Sequence, residues 1–221
     1  MFLAYQKRSH YSFTKNVLRI LDRGSLPWDK PWQDIGLPPS LIPMALKAKK
    51  IYNLADIYNL MLDKPFIRWS QGPARYNAVL DIIELAPMNT FTSANEYYGE
   101  LFHLLAHSTG HWTRLNRGRI SEMVEYGSLP FTIEESVAEI TKAYLGSLCC
   151  ASLKQSKEEK GCASAWAHLF RYNYQGVVKA YSSAQNAVNQ IITLGVKNGE
   201  DKRLGWNANC FKSSATNLGF I

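Results

Sequence analysis

The sequence predicts an α+β fold, and three observations support this prediction. Short segments rich in β-branched and aromatic residues lie between residues 66 and 85, separated by Gly72-Pro73 and Asn77, as in a small antiparallel sheet. Apolar residues recur with helical period in the segments before and after these strands. In addition, 46% of the 221 residues are hydrophobic, which is enough to build a folded core.

Residues 1–50 are predicted to form a short, helical, basic N-terminal segment. They contain nine Lys or Arg and three Asp, so nine minus three, or +6, of the net charge of +7 lies here. Helical periodicity runs from Ser12 to Arg23, and Gly24 is placed to end the helix. A basic helix attracts phosphate backbones without base specificity, although a merely solubilising surface has the same composition.

Two Pro-Trp units, Pro27-Trp28 and Pro31-Trp32, follow this helix. Exposed Trp side chains beside basic residues suit the stacking of nucleic-acid bases. The alternative is that Trp28 and Trp32 pack the helix onto the main domain. The candidate DNA contacts are Lys7, Arg8, Lys15, Arg19, Arg23, Trp28, Lys30 and Trp32.

The later elements follow from hydrophobic period and turn residues. After a proline-punctuated linker at 37–43, residues 53–62 have the pattern of a second short helix, and strands are predicted at 66–69, 74–77 and 79–85. Ser93 and Glu96 have capping-box spacing, which predicts a helix running to about Ser108. Further helices are expected around residues 132–150 and, as one or two helices, at 163–194.

The helix that begins near Ser93 carries the strongest chemical signal. His103 and His107 are four residues apart, so both imidazoles lie on one helix face, where they can share a zinc ion. Zinc peptidases use the pattern His-Glu-x-x-His, in which the Glu activates the metal-bound water. Here Leu104 occupies that position, and loss of a general base typically costs roughly 10²–10⁴-fold in rate. The acid Glu100 lies one turn back, on a different face from position 104.

A third ligand must come from elsewhere in the chain. His111 comes two residues too early for the pattern with a third His, since Thr113 stands at the required position. The better option is a later helix containing Glu134, Glu135 and Glu139, in which Glu135 and Glu139 lie one turn apart. One of these acids can bind the metal while the other accepts a hydrogen bond from a liganding histidine.

The choice among these acids stays open on spacing alone. Thr132 and Glu135 also have capping-box spacing, and a Glu that turns back onto the cap leaves Glu134 or Glu139 to face the metal. The loop Arg114-Leu115-Asn116-Arg117-Gly118-Arg119 is basic and is predicted to be solvated surface or a contact for a carboxylate or phosphate.

Three stretches together resemble the zincin-like metallopeptidase domain of ArdC-type antirestriction proteins, which plasmids, phages and conjugative elements carry. They are residues 94–117, 134–139 and 182–188, and the resemblance covers roughly residues 64–195. The family shows a His-Glu-x-x-His-x-Thr-Gly-His core, from which only Leu104 departs. The family pattern places the ligand four residues before the acid that orients a histidine, which implies Glu135 as ligand and Glu139 as its partner.

The resemblance also implies functions for the parts of the chain. It predicts residues 1–50 as the remnant of a single-stranded-DNA-binding region, residues 51–195 as the zincin-like domain and residues 196–221 as a C-terminal tail. In the family a fuller DNA-binding domain follows the Pro-Trp segment, whereas about thirty residues separate Trp32 from the peptidase-like part here. The small sheet is expected to present an edge strand to an extended substrate.

We therefore predict a zinc-binding pseudo-metallopeptidase of a mobile element that acts by binding DNA or a host restriction or defence protein. Two alternatives are an active zinc-dependent metallopeptidase with a non-standard general base, and an interaction module without metal. No apolar run approaches the roughly 20 residues of a membrane span, and residues 1–8 lack the layout of a secretory signal. The four cysteines lack C-x-x-C spacing, and Cys149 and Cys150, neighbours on a predicted helix, are predicted to be buried, reduced thiols. A cytoplasmic location is expected.

Overall fold

A computed structural model of the chain describes residues 2–29, 35–49, 51–118, 127–153 and 163–193. Three helices come first, three consecutive strands follow, and the remaining helices come after them, a segregated order typical of an α+β fold. The helices are α1 (Phe2–Leu21), α2 (Met44–Lys47), α3 (Leu54–Leu60), α4 (Ala94–Ser108), α5 (Leu129–Leu148), α6 (Ala163–Tyr172) and α7 (Tyr174–Thr193). The strands are β1 (Phe66–Trp69), β2 (Arg75–Asn77) and β3 (Ile82–Leu85). The predicted tail at 196–221 lies outside the described residues.

The three strands form a mixed sheet in the order β1-β3-β2. β2 and β3 pair antiparallel, as predicted, but β1 and β3 pair parallel, so the prediction of a purely antiparallel sheet is wrong for that pair. β1 and β2 form the two edges of the sheet, and β3 lies between them. The chain reverses direction between β1 and β2 and again between β2 and β3. β3 therefore runs in the same direction as β1.

The turn between β2 and β3 explains why the third strand starts later than predicted. The side-chain oxygen of Asn77 accepts hydrogen bonds from the backbone N–H groups of Val79 and Leu80, at 3.1 and 3.0 Å. Asp81 then adopts the left-handed region with φ of 51°. An Asn that binds the backbone two and three residues ahead favours a turn over a strand. Residues 79–81 therefore belong to the turn.

Arg114 connects this turn to the end of α4. Its guanidinium, 1% exposed, donates to the backbone oxygens of Ser108 (2.6 Å) and Asp63 (2.8 Å) and forms an ion pair with Asp81. The Arg114 charge and the Tyr76 hydroxyl lower the pKa of the Asp81 carboxyl, although burial alone would raise it. Of the two alternatives predicted for this basic loop, contact with a carboxylate is therefore confirmed for Arg114, and solvated surface is wrong for it.

The N-terminal segment contributes to the main hydrophobic core. α1 packs on α6 and α7, and the ring of Phe13 meets the ring of Tyr181 edge-on at 4.9 Å between centroids. Trp28 is 1% exposed and contacts Trp166 at 5.0 Å between ring centroids. Trp28 thus packs the N-terminal helix onto the domain, and the candidate role in base stacking is wrong for this residue.

We expect Trp28→Ala to lower the free energy of unfolding by about 3–5 kcal/mol, because it removes a large buried ring and leaves a cavity. The measurement is equilibrium unfolding in denaturant. Tyr11→Ala is the control, since Tyr11 is 64% exposed on α1, in the same N-terminal segment, and its loss should cost less than about 0.5 kcal/mol. An unchanged midpoint for Trp28→Ala would show that the segment is not integral to the core.

The caps of α4 and α5 decide which residues face the space between these helices. At α4 the predicted N-cap is confirmed: Ser93 Oγ accepts from the Glu96 backbone N–H at 3.2 Å, while the Glu96 carboxylate accepts from the backbone N–H of Thr92 at 2.8 Å. α5, by contrast, begins at Leu129 with Ser128 as its N-cap, so the capping box predicted at Thr132 and Glu135 is wrong. Glu135 therefore lies well inside the helix, where no cap competes for its carboxylate.

Candidate metal centre

Three side chains predicted as ligands meet between α4 and α5. The Nε2 atoms of His103 and His107 are 3.0 Å apart. The Glu135 carboxylate lies 3.6 Å from Nε2 of His103 and 3.5 Å from Nε2 of His107. In a tetrahedral zinc site, ligand atoms 2.0–2.1 Å from the ion are about 3.3 Å from one another. The spacing of this triad fits such an ion.

The other ring nitrogen of each histidine is held by a second acid of α5. Nδ1 of His103 lies 2.6 Å from the Glu139 carboxylate, and Nδ1 of His107 lies 3.2 Å from the Glu134 carboxylate. An ionised carboxylate only accepts hydrogen bonds, so Nδ1 carries a proton in both rings. Each Nε2 is then directed towards the other ligands. Carboxylate partners of this kind orient metal-binding histidines in proteins.

Two Nε2 lone pairs that face each other at 3.0 Å repel unless a cation lies between them. A proton is one solution. Burial alone would lower the pKa of His103, but the hydrogen bond and negative charge of Glu139 raise it to about 9. A divalent metal ion is the other solution, and the Glu135 carboxylate beside both nitrogens favours it by adding a negative ligand.

Two buried cations stand behind these acids. Lys142, 5% exposed, places its ammonium 2.9 and 2.7 Å from the two carboxylate oxygens of Glu139. Burial alone would raise the pKa of Glu139, but the charge of Lys142 and the bond with His103 lower it to about 2. Arg117 likewise lowers the pKa of Glu134, together with His107, against the effect of burial. Both acids are therefore ionised at neutral pH.

Sequence reasoning did not find Lys142 and Arg117 as parts of this centre. The spacing of Lys142 could have revealed its role, since it follows Glu139 by three residues on the same helix. Side chains at this spacing are neighbours and can form an ion pair. For Arg117 the basic loop indicated a carboxylate contact as one alternative, but the spacing did not identify its partner Glu134, which lies 17 residues away on another element. For Arg117 too, the predicted alternative of contact with a carboxylate is confirmed and solvated surface is wrong, since the side chain is only 12% exposed.

The structure leaves the general-base position without a polar group. Leu104 is 4% exposed and belongs to the hydrophobic core. Of the neighbouring acids, Glu134 and Glu139 are already bound to histidine and to a basic side chain. His111 is 8% exposed, and its Nδ1 lies 2.7 Å from Thr113 Oγ1, outside the triad.

Comparison with known proteins agrees with this architecture. A family model described as a zincin-like metallopeptidase matches residues 62–183, more than half of the chain. The chain belongs to this zincin-like metallopeptidase family. No curated protein matches significantly. Among solved structures, Mn(II)-bound antirestriction protein ArdC from plasmid R388 matches with a TM-score of 0.57 and 26% identity, over 65% of this chain and 52% of that one.

The metal-free structure of the same ArdC protein matches with a TM-score of 0.55 and 27% identity, over 64% of this chain and 50% of that one. The zincin-like domain thus spans about half the length of the ArdC chain that it matches. The ArdC-type resemblance and the α+β, zincin-like fold predicted from the sequence are confirmed.

The predicted DNA contacts are only partly within the described residues. Lys15, Arg19 and Arg23 are exposed and follow one another at intervals of four, along one side of α1 and into the turn after it. We call these three residues the basic stripe. Asp22 beside it is neutralised by an ion pair with Arg171. Lys7 and Arg8 lie in α1, but their side chains, like Lys30 and Trp32, fall outside what the structure describes.

Among the described residues, no helix combines the length and the apolar character required to cross a bilayer.

Proposed function

We propose that this chain is an ArdC-like antirestriction protein of a mobile genetic element, and that it binds a divalent metal ion without hydrolysing peptides. The observation that carries the proposal is the pair of Nε2 atoms 3.0 Å apart, oriented by two carboxylates and faced by Glu135, next to a buried Leu104. The ligand set supports metal binding, and the leucine removes the group that would activate water.

Zinc is the ion that we propose for this centre. Two imidazoles and one carboxylate suit zinc, although similar ligands also bind other divalent metals. The ArdC structure from plasmid R388 contains Mn(II), which supports a divalent ion at the shared fold. His103, His107 and Glu135 would hold it, and a bound ion would polarise water or a carbonyl oxygen.

The proposal of lost hydrolysis rests on the surroundings of the triad. Hydrolysis at such a centre needs a free carboxylate beside the attacking water. Leu104 cannot accept a proton, and Glu134 and Glu139 already accept hydrogen bonds from histidine and from Arg117 or Lys142. An active metallopeptidase with a non-standard base therefore has less support than a binding protein.

We propose DNA as the binding target, contacted through the basic stripe. Three exposed positive charges at intervals of one helical turn can follow a phosphate backbone, and the pairing of Asp22 with Arg171 removes the opposing charge. A host restriction or defence protein bound beside the metal triad is the second candidate, and it is favoured by the retained triad. Either target places the action in the cytoplasm, where restriction takes place.

We expect Lys15→Gln with Arg19→Gln to weaken binding to a fluorescent single-stranded oligonucleotide, measured by anisotropy at several salt concentrations. Each lost phosphate contact should reduce the salt slope by about 0.7, or roughly 1.4 for the pair. Lys47→Gln with Lys64→Gln removes the same charge outside α1 and is the matched control. Truncation of α1 is unsuitable, because its buried side chains belong to the core.

Equal weakening in both double variants would contradict a role for the basic stripe. Wild-type protein that shows no salt-dependent binding to the oligonucleotide would contradict DNA as the target and leave the host protein.

A further inference from the structure

Arg117 makes an extensive set of contacts beside the metal triad. Its Nε donates to Oε2 of Glu134 at 3.0 Å, and its Nη2 donates to Oε1 of the same carboxylate at 2.8 Å. The guanidinium also donates to Thr109 Oγ1 at 2.7 Å and to the backbone oxygen of Ala106 at 2.9 Å. The backbone N–H of Arg117 donates to the oxygen of Gly110 at 3.0 Å. One side chain thereby joins α5 to the last turn of α4.

These contacts reach the triad through one carboxylate oxygen. Oε1 of Glu134 accepts from Nη2 of Arg117 and also from Nδ1–H of His107, at 3.2 Å. A two-pronged guanidinium–carboxylate pair fixes both the position and the plane of the carboxylate. The direction of the Nδ1–H bond then fixes the rotation of the His107 ring, and so the direction of its Nε2 lone pair.

We infer that Arg117 is a positioning residue of the metal centre, which acts through Glu134 to aim Nε2 of His107 at the ion. This inference rests on the proposed metal binding. It also gives a physical role to the Thr-Gly of the sequence motif. Thr109 supplies a side-chain acceptor and Gly110 a backbone acceptor for Arg117, so the turn after His107 is shaped to hold this arginine.

Arg114 is a control residue that distinguishes positioning of a metal ligand from general stabilisation of the fold. It lies three residues before Arg117, is 1% exposed, and donates to the Ser108 oxygen in the same last turn of α4. Its carboxylate partner is Asp81, which does not contact a residue of the triad. Loss of either arginine removes a partly buried ion pair and a hydrogen bond to the end of α4. Only loss of Arg117 releases an acid that holds a metal-binding histidine.

The experiment compares zinc and cobalt affinities of purified full-length variants. We expect Arg117→Gln to weaken both affinities about tenfold, in the range seen when the hydrogen-bond partners of metal ligands are removed. Arg114→Gln should change them less than about threefold, even where it lowers the unfolding midpoint as much as Arg117→Gln does. The absorption bands of bound cobalt, which report the ligand geometry, should change in Arg117→Gln and stay as in the wild type in Arg114→Gln.

A double-mutant cycle tests the route through Glu134. If Arg117 acts through this acid, Arg117→Gln should cost no further metal affinity in a Glu134→Gln background, whereas independent effects would add. Arg117→Lys keeps the charge without the two-pronged geometry, and we expect it to lose nearly as much affinity as Arg117→Gln. This variant also serves where Arg117→Gln does not fold.

Equal losses of metal affinity in the Arg114 and Arg117 variants would overturn the positioning role and leave the proposed metal site intact. If the losses of metal affinity in Arg117→Gln and Glu134→Gln add fully in the double variant, the positioning role is likewise overturned and the proposed metal site remains. A wild-type chain without affinity for zinc or cobalt would overturn the proposed function and this inference together.

Discussion

His107→Ala is expected to remove the metal from protein purified without added zinc, whereas the wild type should retain about one ion per chain. The loss of metal affinity should exceed the roughly 10–100-fold that removal of a ligand's hydrogen-bond partner costs, because the substitution removes one of the metal ligands itself. It also leaves His103 without the imidazole that its Nε2 faces at 3.0 Å. Elemental analysis of the purified protein and zinc titration with a competing chelator give the result.

His168→Ala is the control for this experiment, because His168 is an exposed histidine on α6 that lies outside the triad. Glu135→Ala should behave like His107→Ala if this carboxylate is the third ligand. Wild-type protein that contains no metal after purification and binds none on titration would contradict the proposed centre. The proton on His103, whose pKa is raised to about 9, would then be the cation between the two rings.

Leu104→Glu is expected to create chelator-sensitive cleavage of a fluorescent casein, at a rate about 10²–10⁴-fold above the wild-type background. The substitution restores a carboxylate at the position next to His103 where zinc peptidases carry their general base. It also places an acid where the side chain is 4% exposed, so a lower unfolding midpoint is expected as well. A divalent ion held by the proposed triad would reduce this cost by favouring the ionised form.

Leu104→Gln separates the base from the change in shape and burial. It has nearly the size of the Glu variant and the same loss of apolar packing, but it cannot take up a proton from water; we therefore expect the same destabilisation and no cleavage. Chelator-sensitive cleavage by the wild type would contradict the proposed loss of hydrolysis. A folded, metal-loaded Leu104→Glu variant without cleavage would show that more than the base is missing from this centre.

Local interactions explain why much of the candidate site was predictable. The spacing of His103 and His107 places both rings on one face of any α-helix, and the Ser93 cap that starts α4 is made by residues three positions apart. The left-handed Gly24 after α1, with φ of 71°, likewise follows from a local steric rule. These features do not depend on where the rest of the chain lies.

The assignment of the three acids on α5 required the tertiary structure. Successive helix positions are rotated by about 100°, so the roles of Glu134, Glu135 and Glu139 depend on how α5 is rotated against α4. The N-cap at Ser128 and the packing of α5 on α4 and α7 set that rotation. It brings Glu135 to both Nε2 atoms and the other two acids to Nδ1.

By itself, the sequence determined that this chain is an α+β protein with a helix-borne histidine pair, a leucine in place of the general base and a basic N-terminal helix. The tertiary structure decided that Trp28 is buried against Trp166, that β1 runs parallel to β3, and that Arg117 and Lys142 neutralise the acids behind the histidines. The first group follows from residue types and spacings within one element. The second depends on contacts between elements far apart in the chain, which only the packing of the whole core selects.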